Sequence, residues 1–191
     1  MRLIVFVIII LWGCPAYGSV TVYTNKQQWE TAVGSFSSIT FTGFPEFTII
    51  TNQFEHLGIV FSDGDDSIDF SASFPSDGHG LVSNEVGTPG TIGITATGDL
   101  HAFGFDFIGY LQVDLLNEGS LLFSSSSYHA DFAPFFGVVS TDPFDEIFAR
   151  DWHDGTVALD NIHFGPPIPA PHTFVLLGAG LLLSPRRCCR R

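Results

Sequence analysis

Four carboxylates crowd the segment Asp63-Gly64-Asp65-Asp66-Ser67-Ile68-Asp69. Carboxylate oxygens at short spacing in a glycine-containing loop suit Ca2+, a hard cation that takes roughly six to eight oxygen ligands. The segment is not an EF-hand loop, because its glycine is misplaced and no Glu closes it. A solvated acidic turn is the plainer reading of the same residues. A second acidic group forms near the end of the chain, where Asp160-Asn161 follows Asp151 and Asp154. Asp160 therefore joins Asp63, Asp65, Asp66 and Asp69 as a candidate Ca2+ ligand. A different chemistry needs aromatic faces. A sugar ring presents C–H groups to an aromatic side chain and hydroxyls to carboxylates or amides. Trp152, flanked by Asp151 and His153, is the leading stacking candidate, followed by Tyr110 and by Tyr128 with its neighbour His129. Packing of Trp152 at a strand end accounts for that residue as readily.

Other chemistries find little support. The seven histidines, at positions 56, 79, 101, 129, 153, 163 and 172, form neither a His-x-x-x-His nor a His-Glu-x-x-His pattern, so a zinc hydrolase is poorly served. There is no Gly-x-Ser-x-Gly nucleophile elbow. Gly87-Thr88-Pro89-Gly90 lacks the Lys-Ser/Thr of a phosphate loop and reads as a turn. Twenty acidic residues leave a pair of glycosidase carboxylates open, but the spacing singles out no pair.

These side chains need a scaffold, and the composition describes it. The chain has 191 residues, 45% of them hydrophobic and only 14% charged, with 20 Phe. So many aromatics exclude a disordered acidic chain, and the shortage of charge excludes an Ala/Glu/Lys/Leu-rich bundle. The net charge of −13 is unevenly spread: residues 19–165 hold all 20 acids but only Lys26 and Arg150 as bases, a net −18. A body this acidic repels phosphate backbones, so nucleic acid is not a partner.

Periodicity points to an all-β fold. After a first strand at residues 20–23, Thr24-Asn25-Lys26-Gln27 reads as a capping box with Thr24 as the cap. Trp29, Ala32 and Val33 then share one face of a short helix over 25–33, which Gly34 stops. Strand patterns follow. Phe103, Phe105 and Phe107 repeat at period two, Ile92 and Ile94 share a face, and so do Val113 and Leu115. Turn signals at Asp63-Gly64, Asp77-Gly78, Pro89-Gly90, Gly98-Asp99, Asn117-Glu118-Gly119, Asp142-Pro143 and Asp154-Gly155 separate about ten strands. That spacing predicts a β-sandwich or jelly roll over 19–165, with Phe-rich faces between two sheets.

The two ends stand apart from this body. Arg2 precedes an apolar run over residues 3–12 and the small-x-small Ala16-Tyr17-Gly18, which together describe a secretory signal peptide over 1–18. Its ten apolar residues rise only about 15 Å as a helix, too short for a hydrocarbon core of about 30 Å. A second reading takes Leu11-Trp12-Gly13-Cys14 as a lipobox with Cys14 acylated. At the other end, a Pro-rich spacer over 166–173 leads into an apolar stretch over 174–183 and an Arg-rich tail over 184–191. A short apolar helix followed by arginines reads as a membrane stop with the tail in the cytoplasm. Cys188 and Cys189 lie in that tail, and the body from 19 to 165 has no Cys and hence no internal disulfide.

This order resembles the PEP-CTERM sorting signal of exported bacterial proteins. The matching residues are Pro169-Ala170-Pro171, with Ala170 where the family has Glu, then the apolar stretch, then Arg186, Arg187, Arg190 and Arg191. The resemblance covers about the last 25 residues. It implies an exosortase-type membrane sorting protease as partner, transient anchoring in the inner membrane, cleavage near the motif and release to the cell surface. The body is also similar to domains that precede such signals, through Tyr23-Thr24-Asn25 leading to Trp29, Thr51-Asn52-Gln53-Phe54, Phe103-Gly104-Phe105-Asp106 and Leu159-Asp160-Asn161-Ile162. That similarity implies a jelly roll resembling galactose-binding-like modules.

The combined expectation is an exported, non-enzymatic surface or matrix protein that binds extracellular polysaccharide, with Ca2+ as the cofactor if one is held. The alternatives are a secreted hydrolase on a lectin-like sandwich and, more weakly, ice or surface adhesion through Thr91, Thr95 and Thr97.

Overall fold

A computed structural model describes residues 18–61, 67–70, 78–83, 90–130, 134–151, 153 and 155–165. The signal peptide expected over 1–18 lies outside these residues except for its last, and the spacer, apolar stretch and tail over 166–191 lie outside them entirely. So do Asp63, Asp65, Asp66, Trp152, Asp154 and the sorting residues Pro169, Ala170, Pro171, Arg186 and Arg187. Among the described residues no helix is long and apolar enough to cross a membrane.

The elements run β1 (Val20–Tyr23), α1 (Lys26–Val33), β2 (Ser37–Ile39), a 3-10 turn at Glu55–Leu57, β3 (Ile59–Phe61), β4 (Ser67–Phe70), β5 (His79–Val82), β6 (Thr91–Asn117), β7 (Ser120–Ser124), β8 (Tyr128–Ala130), β9 (Phe135–Arg150) and β10 (Ala158–Gly165). All pairings are antiparallel. The expected all-β architecture with one short N-terminal helix is therefore present. The helix cap differs from expectation: Asn25, not Thr24, is the N-cap, and its Oδ1 accepts the Gln28 N–H at 3.0 Å. Gly34 ends the helix at φ +79°, a backbone angle open to glycine, and its N–H donates to the Glu30 carbonyl. Ala32 is exposed, so the buried face of α1 is essentially Trp29.

Two long strands organise the sheet into two layers. Residues 102–106 of β6 pair with residues 135–139 of β9, whereas residues 91–95 and 112–116 of β6 both pair with residues 146–150 of β9. The first layer is thus β1, the first half of β9, the middle of β6, and β10, with β2 and β5 sharing the far edge of β10 and β4 beyond β5. The second layer is β3, the start of β6, the second half of β9, the end of β6, and β7. β6 crosses between layers twice and β9 crosses once.

This corrects two expected turns. Gly98-Asp99 and Asp142-Pro143 do not reverse the chain; they sit at the corners where β6 and β9 change layers, and the pairing register shifts there. Pro143 lacks an amide donor, and it is tolerated because it falls between the paired stretches on either side of Phe144 and Val139.

The core lies between the layers. Phe103, Phe105, Phe107, Phe136 and Val138 from the first meet Ile92, Ile94, Val113, Leu115 and Ile147 from the second in one buried cluster. Alternation puts the intervening residues on the outer face of the first layer. There Gly104 faces Gly137, and a Cβ at Gly104 would come within 2.5 Å of the Phe135 ring. The paired glycines leave room for a second cluster of Trp29, Ala102 and Phe135 beneath α1, locked by the Trp29 Nε1–H donating to the Val138 carbonyl at 3.0 Å.

Candidate functional site

At its second crossing β6 bends at Gly109, which has φ +93° and whose Cβ position lies 3.3 Å from the Thr156 carbonyl oxygen. Glycine suits both the backbone angle and the close approach. Immediately after this bend, Leu111, Val113 and Leu115 point into the core, so Tyr110, Gln112 and Asp114 point outward. β8 pairs here, setting His129 beside Tyr110 and Tyr128 beside Leu111. The rings of Tyr110 and His129 lie 4.2 Å apart between centroids. The His153 ring stacks on Tyr110 at 4.8 Å, with 19° between planes. His129 and His153 are exposed and Tyr110 is half-buried.

His153 is held by a buried carboxylate. Asp151 is 2% exposed, its N–H donates to the Gly90 carbonyl, and its Oδ1 accepts the His153 N–H at 2.6 Å. A carboxylate that bonds the backbone two residues on makes a local turn. That turn projects the His153 ring back over Tyr110. The result is a compact stack of three rings in which the exposed His129 and His153 offer the outward faces and edges and Tyr110 ties them together.

Of the expected stacking residues, Tyr110 belongs to this surface. Tyr128 does not: it packs inward, edge-on to Phe136 at 5.2 Å, because strand alternation sends neighbours Tyr128 and His129 to opposite faces. The histidines were visible only as neighbours of the expected aromatics. Their meeting across β8, the end of β9 and the bend of β6 is a tertiary fact.

Of the expected metal ligands, Asp69 and Asp160 lie among the described residues. Asp69 lies on β4, paired with Gly80, far along the sheet order from the end of β9. Asp160 is fully buried on β10 opposite Asp106. An extra residue on β10, Asn161 at φ +48°, bulges the strand there. Asparagine is among the few side chains at ease in this left-handed region. The bulge resets the alternation so that Ile162 and Phe164 face the core and His163 faces out. The Asn161 amide donates to Asp106 Oδ2 at 2.9 Å and to Asp160 Oδ2 at 3.4 Å, and its backbone N–H donates to Asp160 Oδ1 at 2.7 Å. Burial pushes the Asp106 carboxyl upward, as does the Asp160 charge, while the Asn161 hydrogen bond and Lys26 oppose the shift. With Asp160 fully buried and Asp106 8% exposed, this pair serves the bulge and is closed to a bulky substrate. Among the described residues no three His, Cys, Asp or Glu side chains come together in a group able to hold a metal ion. The alternation Phe103-Gly104-Phe105-Asp106-Phe107 had signalled that Asp106 lies opposite the core.

His163 sits next to this bulge under α1. It is 5% exposed, its Nδ1 lies 2.7 Å from the Ser38 hydroxyl, and its ring contacts those of Trp29, Phe36 and Phe135. Burial, with Lys26 adding to it, lowers its pKa to about 4, so the imidazole is neutral at pH 7.

No protein-family model and no curated protein sequence matches the chain. Among solved structures it is similar to a mutant of the family 29 carbohydrate-binding module CBM29-2, at 14% identity and TM-score 0.47, over 70% of this chain and 93% of that one. It is also similar to CBM29_1 from Piromyces equi, at 15% identity and TM-score 0.44, over 72% and 94%. Likenesses this distant bring neither a fold name nor a ligand with them.

Proposed function

We propose that the chain is an exported, non-enzymatic protein that binds extracellular glycan through the Tyr110, His129 and His153 surface. The observation that carries this reading is the stacking of three rings from three separate segments on the outer side of a rigid β framework, with Asp151 buried beneath to hold one of them. The binding role uses what the surface offers, namely flat apolar faces with polar edges, and asks for no nucleophile or acid–base pair. The jelly-roll, galactose-binding-like class expected from the sequence is consistent with two layers that exchange long strands. Export and sorting rest on the terminal segments: the basic, apolar, small-residue start, and Pro169-Ala170-Pro171 followed by an apolar stretch and arginines. On this reading an exosortase-type membrane protease is the sorting partner.

Binding is tested by affinity electrophoresis and glycan-array binding of the wild type and Tyr110→Ala. Retardation and array signal in the wild type, lost in the variant with an unchanged melting temperature, is the expected result. Equal binding by the two proteins would remove the ring surface from the mechanism. Sorting is tested by fractionating cells that express the chain with and without residues 166–191: the truncated form should change compartment, and an unchanged distribution would rule the address out.

A further inference from the structure

The ring surface does not stand alone on β6. Gln112 and Asp114 follow Tyr110 on the same outward face, and strand geometry spaces the three over roughly 13 Å. Across the ladder, Arg150 faces Gln112 and Phe148 faces Asp114. The Arg150 guanidinium lies 5.2 Å from the Phe148 ring centroid, and its Nη1 is 3.2 Å from Asp114 Oδ2. Ser124, the β7 partner of Asp114, donates its hydroxyl to Asp114 Oδ1 at 2.6 Å and accepts from Gln112 Nε2 at 3.1 Å. On the other side of Phe148 the paired residue is Gly93, which adds no side chain. Helix α1, which covers part of the other layer, packs against β1 and β9 through Trp29 and Val138 and lies on the opposite layer's face.

We infer that this row is a continuation of the binding surface and that its occupant is an extended, neutral glycan chain spanning from the Tyr110 rings to Phe148. The inference rests on the glycan reading above and names the ligand class. Its first support is the grouping on one outward face: stacked rings, then the partly exposed Gln112 amide and the exposed Arg150 guanidinium and Ser124 hydroxyl, held in place by the buried Asp114 carboxylate, with the Phe148 ring beside it. Groups already held by mutual hydrogen bonds lose little freedom when a ligand's hydroxyls bind them. The second support is length, since the row exceeds what a single sugar ring touches. The third is charge. Lys26 and Arg150 are the only bases of a body at net −18, and Arg150 is already paired with Asp114, so a polyuronate or sulfated chain meets repulsion with no free cation on this row to offset it.

The test is calorimetric titration with neutral cello-, manno- and xylo-oligosaccharides of two to six rings, alongside polygalacturonate. Affinity for one neutral series should rise with length beyond two rings. Phe148→Ala should weaken the six-ring ligand roughly tenfold while leaving the two-ring ligand unchanged, and Gln112→Ala should weaken the six-ring ligand by a similar factor. Tyr110→Ala should weaken both. Gln112 is the control for Phe148, because its side chain is partly exposed and its loss empties no core. Affinity that depends on Tyr110 but is flat with length and indifferent to Phe148 and Gln112 would overturn the row and leave the ring surface standing. Preference for polygalacturonate would overturn the neutral ligand. No binding by any probe would overturn both this inference and the glycan reading.

Discussion

Replacing His163 by Gln should remove a large part of the protein's acid sensitivity. The imidazole is 5% exposed among Trp29, Phe36 and Phe135, and among the described residues no hydrogen-bond partner reaches its Nε2. Charging it in place would put a cation among rings near Lys26, and its folded-state pKa falls to about 4 from an ordinary 6.5. Between those values the unfolded chain binds a proton here and the folded chain does not. Stability therefore falls as pH falls through 6.5 and the loss is complete near pH 4. At about 1.4 kcal/mol per unit the full effect is about 3 kcal/mol, a large share of a typical domain's margin. Asp106 works in the other direction: its carboxyl is raised by burial, so the folded chain takes up that proton first and gains stability toward acid. The acidic groups are common to both proteins, and the comparison subtracts them. The assay is urea unfolding of the wild type and His163→Gln in steps from pH 7.5 to 4. The variant should be less stable at pH 7.5, because it loses ring packing, yet the gap should close by about 3 kcal/mol as the pH falls. Parallel loss of stability across the whole window would refute the reasoning and show that the imidazole is solvated.

Two further outcomes follow from the packing. Gly137→Ala places a Cβ within 2.6 Å of both the Phe135 and Trp29 rings, so overpacking should destabilise the protein by about 1–3 kcal/mol in urea unfolding, with a shift in tryptophan fluorescence as Trp29 moves. Asn25→Ala should cost about 1 kcal/mol through loss of the helix cap, whereas Thr24→Ala should change thermal stability by less than about half that.

The all-β class, the short helix and the period-two faces follow from local chemistry. Phe103, Phe105 and Phe107 can be read as one buried face because strand alternation is a property of the backbone, and Gly34 can be read as a stop because few other residues adopt its φ. Tertiary structure decided where strands continue. Gly98-Asp99 and Asp142-Pro143 have turn chemistry, but a corner between layers needs the same residues as a reversal, and only pairing partners distinguish the two. It also decided which aromatics form a surface. Tyr110, His129 and His153 are 19 and 24 residues apart along the chain, and their meeting depends on the β6 bend at Gly109, the register of β8 and the buried Asp151. The same holds for Asp160, whose carboxylate reads locally as an ion ligand. In the fold that carboxylate accepts the Asn161 N–H beside a one-residue bulge, and the Asn161 amide reaches on to Asp106 of the neighbouring strand. Sequence specifies what each backbone segment tends toward; long-range pairing specifies which side chains share a face, since that depends on register summed over the whole sheet.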